Sequence, residues 1–186
     1  MEAFPTVHAH ERWYRHAFRG EWKKGRTWSI LFGRLALGSF FLWSGYQKTL
    51  VWASGKTATA AFLSGPAVAN GPFAGFFTDL AGNWAVEYLV VFGEILVGIA
   101  LIFGIFTMVG AAAGAIQMLL FTLAMWPIAD KSGDNPIVDV RVLYGLMFVM
   151  FFFLTPGRFL GVDGIIQSLK FVKAHPRLKR VLERLG

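Results

Sequence analysis

Four stretches of this chain are long and apolar enough to cross a lipid bilayer, and they leave little else to fold. They run from about Trp28 to Lys48, Trp84 to Phe106, Met108 to Ile128 and Ile137 to Pro156. A spanning helix needs about 20 mostly apolar residues to cross a hydrocarbon core of about 30 Å. The chain has 186 residues, and 55% of them are apolar, which is too greasy for an ordinary soluble domain. The expected fold is an all-α membrane protein, a four-transmembrane-helix bundle. It divides into an N-terminal segment 1–27, a membrane domain 28–157 with a connecting loop 49–83, and a C-terminal segment 158–186.

The net charge of +7 could suggest nucleic acid. Its distribution argues for the lipid bilayer instead. Arg12, Arg15, Arg19, Lys23, Lys24 and Arg26 precede the first span, and Arg158, Lys170, Lys173, Arg177, Lys179, Arg180 and Arg184 follow the last. The connecting loops hold only Lys56 and Lys131. Lys and Arg collect on the cytoplasmic flanks of spanning helices. Both termini are therefore expected in the cytoplasm, with the protein crossing the cell (plasma) membrane several times. The first 27 residues are polar and basic, so the first span reads as an uncleaved anchor rather than a signal peptide.

Several chemistries are excluded. There is no cysteine, hence no disulfide, iron–sulfur cluster or thiol nucleophile. The four histidines, His8, His10, His16 and His175, all lie in the terminal segments, so none can ligate a haem within the spans. His8 and His10 form a His-x-His pair, a weak metal signal. No zinc signature or phosphate loop is present. No haem, metal or flavin is expected in this chain.

The segments between and around the spans carry their own pattern. The N-terminal segment mixes Trp13, Tyr14, Phe18 and Trp22 with basic residues, which fits either an interfacial segment on the inner leaflet or a solvated tail. The connection 49–83 is too long for a plain turn and rich in Phe, Gly and Pro. It reads as one or two short helices, with Pro72 in the first turn of one, forming a lid over the outer end. In the third span, Gly110 and Gln117 share a face suited to close helix packing. The run Ala129 to Pro136 reads as a polar turn. After the last span, Asp163 is placed to cap a helix, and apolar residues recur at helical spacing. That tail fits amphipathic helices on the inner surface, or a docking surface for a partner subunit.

The ionisable residues within the spans bear most on function: Arg34, Lys48, Glu87, Glu94, Asp139 and Arg141. Such a group costs at least about 2.5–3.5 kcal/mol at mid-bilayer, so it faces the bundle interior and finds a partner. Glu87 and Glu94 are seven residues apart and share a helix face. The topology brings Lys48, Glu87, Asp139 and Arg141 together at the outer end. It leaves Glu94 deeper, with Arg34 as the cation able to reach toward it. Trp43, Tyr46, Tyr88 and Tyr144 belong to the aromatic residues around that end. Two readings stand: paired charges that hold four helices in register, or a polar functional site within the membrane.

Four segments, "GRLALGSFFLWSGYQK", "GPFAGFFTDLAGN", "EYLVVFGEILVGIALIFGIFT" and "LTPGRFLGVDG", resemble the DoxX/DoxD family of four-span membrane proteins. The resemblance covers nearly everything from Gly33 to Gly164, and "GPFAGFF" is similar to the DoxD branch. DoxD is a subunit of thiosulfate:quinone oxidoreductase, which joins two thiosulfates into tetrathionate and passes the electrons to a membrane quinone. A DoxA-like second subunit normally accompanies it. The resemblance implies thiosulfate binding by Lys48, Arg141 and Arg34, quinone binding near Trp43, Tyr46, Tyr88 and Tyr144, and proton chemistry at Glu94, Glu87 and Asp139. It equally admits a non-catalytic quinone-binding or assembly subunit of a larger respiratory complex such as a terminal oxidase. An oligomer is expected in either case, and a small transporter is a further possibility.

Overall fold

The computed structural model describes residues 25–126, 139–158 and 161–169, together with Val172, His175 and Leu182. The helices in chain order are α1 (Gly25–Ala53), α2 (Ala60–Leu63), α3 (Pro66–Ala69), α4 (Ala74–Asp79), α5 (Trp84–Phe103), α6 (Thr107–Ala124) and α7 (Val140–Leu154). A 3-10 turn at Pro156–Arg158 and a short helix α8 (Val162–Ser168) follow. No strand occurs among the described residues. The reading of the N-terminal segment, of the turn Ala129–Pro136 and of most of the tail after α8 lies outside the described residues.

The helix ends follow from local chemistry. Asn83 starts α5 by accepting a hydrogen bond from the Ala85 N–H at 2.9 Å, and Asp139 starts α7 by accepting from the Arg141 N–H at 2.7 Å. Gly104, in the left-handed region at φ 66°, ends α5. α1 runs five residues beyond Lys48, the expected end of the first span. The side chain of Lys48 therefore leaves the helix about 7.5 Å before its end.

Among the described residues, α5 and α6 are the helices both long and apolar enough to cross a membrane. α7 is apolar but has 15 residues, and α1, although 29 residues long, carries Arg34 and Lys48 in its interior. The four long helices pack antiparallel to their neighbours. Gly38 and Gly45 of α1 lie against Leu101 and Val91 of α5, so one helix rises as the other descends. Gly110 of α6 meets Ala100 of α5, Gly114 of α6 meets Phe148 of α7, and Phe41 of α1 meets Phe148 edge-on at 4.8 Å. The four form a ring around one core of Leu37, Phe41, Val97, Leu101, Ala111, Met118, Phe148 and Phe151.

The outer surface of this ring is as apolar as its interior. Phe32, Trp43, Leu89, Leu96, Phe103, Ile116, Leu119, Leu146 and Phe153 are all exposed. The acids Glu87, Glu94, Asp139 and Asp163, and Arg34, are buried. A helix apolar all round, with its charges turned inward, is built for lipid rather than water.

The long connection contains three short helices where one or two were expected. Pro66, not Pro72, occupies the first turn of one of them, α3. Pro72 instead precedes Phe73, the N-cap of α4. Gly71 and Pro72 break the helical run, because proline cannot donate to it and constrains the residue before it. Leu63, Val68 and Phe77 of this segment pack with Ala124 at the end of α6. The segment is thus a lid on one end of the ring.

The closest approach in the ring is between α1 and α5. A methyl group added at Gly98 meets the backbone N of Leu42 at 2.6 Å and its Cα at 2.8 Å. A backbone neighbour cannot swing aside. Gly98→Ala is therefore expected to lower stability by about 1–3 kcal/mol. Gly75→Ala, at an exposed position with open space around it, should leave stability unchanged or slightly raised. Thermal unfolding in detergent compares the two.

Candidate functional site

The close packing of α1 on α5 decides what the deepest carboxylate meets. Lys48 Nζ donates to both oxygens of Glu94, at 2.6 and 2.8 Å, and to Ser44 Oγ at 2.9 Å. Ser44 stands one turn before Lys48 on the same face. An ammonium has three donors, and this arrangement uses all three. The partner of Glu94 is thus Lys48 and not Arg34. The physical reason is the extension of α1: Lys48 sits within the helix rather than at its mouth. Gly45, packed on Val91 and Ile95, brings the two backbones close enough for the bond.

Glu94 is 4% exposed and the Lys48 side chain 24%. The ammonium thus has a way out that the carboxylate lacks. That way out is a groove of about 300 Å³ in the side of α1, lined by Phe40, Trp43, Ser44, Gln47, Lys48, Val51 and Ala58. Trp43 and Tyr46 lie beside each other with ring centroids 5.5 Å apart, and Tyr144 packs behind Phe40 at 4.8 Å. Of the four aromatic residues singled out in the sequence, Trp43 lines the groove, and Tyr46 and Tyr144 adjoin residues that do. Tyr88 stands elsewhere, in a row of rings with Trp52, Trp84 and Phe92.

The remaining charges do not join this pair. Glu87 accepts from the backbone N–H of Thr59 at 2.7 Å and from Trp52 Nε1 at 3.3 Å, tying the lid to α5. Asp139 and Arg141 form their own ion pair, and Arg141 Nη1 reaches Met125 Sδ. Among the described residues no hydrogen bond or ion pair links Lys48, Glu87 and Arg141. The single outer cluster expected from topology is therefore three separate polar contacts. Each acid was captured by a nearer donor, and in a dry interior a short bond outweighs a shared one.

Arg34 lies at the opposite end of α1, about 21 Å from Lys48 along the helix. Its Nη1 donates to the carbonyl of Pro156 at 2.9 Å. Close by, Asp163 does not cap its own helix, which begins after Gly161. Its carboxylate accepts from the N–H groups of Phe106 and Thr107 and from Thr107 Oγ1, at 2.7, 3.0 and 2.9 Å. It thereby caps α6 from a distance, and Thr107 Oγ1 accepts in turn from the Gly157 N–H at 3.1 Å. This end is a structural clasp. The sequence signal for it is a lone acid between glycines in "GVDG", within an otherwise basic tail.

Phe40, Ser44, Gln47 and Thr59 are residues that sequence reasoning missed, because none is ionisable and such residues are common in spans and loops; Trp52 belongs to the aromatic residues expected around this end. Among the described residues no three His, Asp or Glu side chains group as a metal site requires.

The family model for DoxX matches residues 29–126. The chain belongs to the DoxX family. No curated protein and no solved structure matches it. The matched part of this DoxX protein contains α1, the lid, α5 and α6, and hence Arg34, Lys48, Glu87 and Glu94, but neither the Asp139–Arg141 pair nor Asp163. Family and apolar helices together make it a membrane protein.

Removing one member of the Lys48–Glu94 pair should not be symmetric. Lys48→Met strands a carboxylate that has no route to water, at a cost of roughly 3–5 kcal/mol. Glu94→Leu leaves an ammonium that can extend into the groove, and should cost less. The double variant Lys48→Met/Glu94→Leu should be more stable than Lys48→Met alone. Unfolding of the three variants in one detergent measures this.

Proposed function

We propose that this DoxX protein binds the head group of a lipid-soluble quinone in the groove beside Lys48, as the membrane subunit of a thiosulfate:quinone oxidoreductase. One observation supports the quinone reading: the lysine of a lysine–carboxylate pair lines a groove on the exposed apolar side of α1, beside Phe40 and Trp43. A quinone needs an apolar approach from the bilayer, a flat ring surface, a donor to its carbonyl oxygen and a source of protons. Trp43 offers the ring surface, Lys48 Nζ the donor and Glu94 the proton site. All four long helices would cross the plasma membrane with both termini in the cytoplasm, in keeping with the basic flanks. The C-terminal tail and a DoxA-like partner, or an oligomer, would complete the assembly.

Thiosulfate as electron donor comes from the resemblance to the DoxD branch. The balanced reaction takes two thiosulfates, a quinone and two protons to one tetrathionate and one quinol. One sulfur–sulfur bond forms, two electrons pass to the quinone, and the protons arrive at its oxygens. A thiosulfate dianion at Lys48 or Arg141 would have to displace Glu94 or Asp139, since each cation already holds a carboxylate. That competition favours a second reading, in which the chain binds quinone or supports assembly inside a larger respiratory complex and another subunit supplies the electrons.

The test uses the full chain, with any co-purifying subunit, in liposomes containing decylubiquinone. On adding thiosulfate, quinol and tetrathionate should appear in equal amounts. Glu94→Gln should lower turnover by about 10²–10⁴-fold if its proton is used in the reaction, and Lys48→Met should weaken quinone binding. Quinone binding without thiosulfate oxidation supports the second reading. Absence of any quinone binding defeats the first reading and leaves of the second only the assembly role, which co-purification of a respiratory complex would then have to show.

A further inference from the structure

The rim of the groove is held by a side chain that does not line it. After Ala53 the chain reverses through Ser54 and Gly55, and Gly55 takes φ 76°, a conformation glycine adopts without strain. The turn is closed locally by the Gly55 N–H donating to the Trp52 carbonyl at 2.8 Å and the Lys56 N–H to the Val51 carbonyl at 3.3 Å. It then returns to Thr59, just before α2. Glu87, in the first turn of α5, meets both ends of this reversal. Its Oε1 accepts from the Thr59 N–H at 2.7 Å, and its Oε2 from the Trp52 indole N–H at 3.3 Å. The residues next to these two anchors, Val51 and Ala58, form part of the groove wall.

We propose that Glu87 is a positioning residue for the quinone groove, holding the turn 52–59 as its wall and so setting which ring substituents fit. This rests on the groove being a quinone site. Three observations carry it. Both oxygens of Glu87 act as acceptors, the role of a carboxylate that anchors rather than donates. Glu87 and Thr59 are 3% and 4% exposed, so water cannot replace a broken bond between them. The two anchors are seven residues apart in sequence, and one rigid helix holds both. Glu87 shares a helix face with Glu94, but it holds the turn that walls the groove whereas Glu94 holds Lys48, which lines it.

The experiment compares full-length wild type, Glu87→Gln, Glu87→Ala and Trp52→Phe in nanodiscs. Amide hydrogen exchange over residues 52–60 is measured without ligand. Binding of 2-methyl-1,4-naphthoquinone and of 2,3-dimethoxy-5-methyl-1,4-benzoquinone is measured separately. Glu87→Ala should speed exchange at Thr59 by about tenfold and change the ratio of the two affinities. Glu87→Gln keeps an acceptor for Thr59 and should stay near wild type in both readouts. Trp52→Phe loses only the weaker anchor and should fall between, which keeps the test informative if Glu87→Ala does not fold. Unchanged exchange in Glu87→Ala and Trp52→Phe overturns the proposal. So does Glu87→Gln proving as damaging to quinone turnover as Glu87→Ala with exchange at the wild-type rate, for that is the mark of a proton donor. If wild type binds neither quinone, the groove reading and the selectivity fail together, and exchange alone then decides whether Glu87 holds the turn.

Discussion

An ammonium and a carboxylate brought together inside an apolar ring set the terms for the rest of this structure. Glu94 has no path to water, and only a partner within bonding distance makes its burial tolerable. Lys48 reaches it because α1 and α5 approach more closely than two helices with ordinary side chains can, through Gly38, Gly45 and Gly98. The glycines and the ion pair are one device. Widening the gap would lengthen the bond, and removing the bond would leave the narrow gap with nothing to join. The pair also fixes the one charged group of the groove, the Lys48 ammonium, beside Ser44 and Gln47 in its lining.

The two ends of the ring do different work with the same type of residue. At the lid end, Glu94, Glu87 and Asp139 each hold a separate partner, and the groove opens beside one of them. At the other end, Asp163 accepts three hydrogen bonds and Arg34 binds the Pro156 carbonyl, while glycines at 104, 157 and 161 leave no space for a side chain. Phe106 and Thr155 take left-handed φ angles of 49° and 42° there, at a cost of about 1–2 kcal/mol each. Such strain persists where the surroundings over-determine the backbone. The clasp supplies that determination at this end, while the groove lies at the lid end.

Much of the fold was legible because lipid imposes a simple rule. Runs of about 20 apolar residues marked all four long helices, and inward-facing charges followed from the expense of placing them in hydrocarbon. Partner identity was harder to read. Counting residues put Lys48 at the mouth of the first span because the span was ended there. The polar Thr49 and the lid sequence concealed that the helix continues to Ala53. That error of five residues moved Lys48 by more than a helical turn, enough to exchange one carboxylate partner for another. Asp163 was misread for a related reason: helix-capping rules weigh the nearest N–H groups in sequence, whereas the N–H groups it caps belong to residues 106 and 107.

The separation of the charges has a consequence for chemistry. Had Lys48, Glu87, Asp139 and Arg141 formed one cluster, their fields would overlap and an entering anion would meet two cations at once. Held apart, Lys48 and Arg141 are each already paired with an acid, so neither offers an unpaired positive charge to a dianion. A neutral, flat molecule needs only one of the three Lys48 donors, and Ser44 and the two oxygens of Glu94 hold one each. It would meet the rings of Trp43 and Phe40 first and the Lys48 ammonium second. The proposed function therefore favours a lipid-soluble partner over a dianion at this groove.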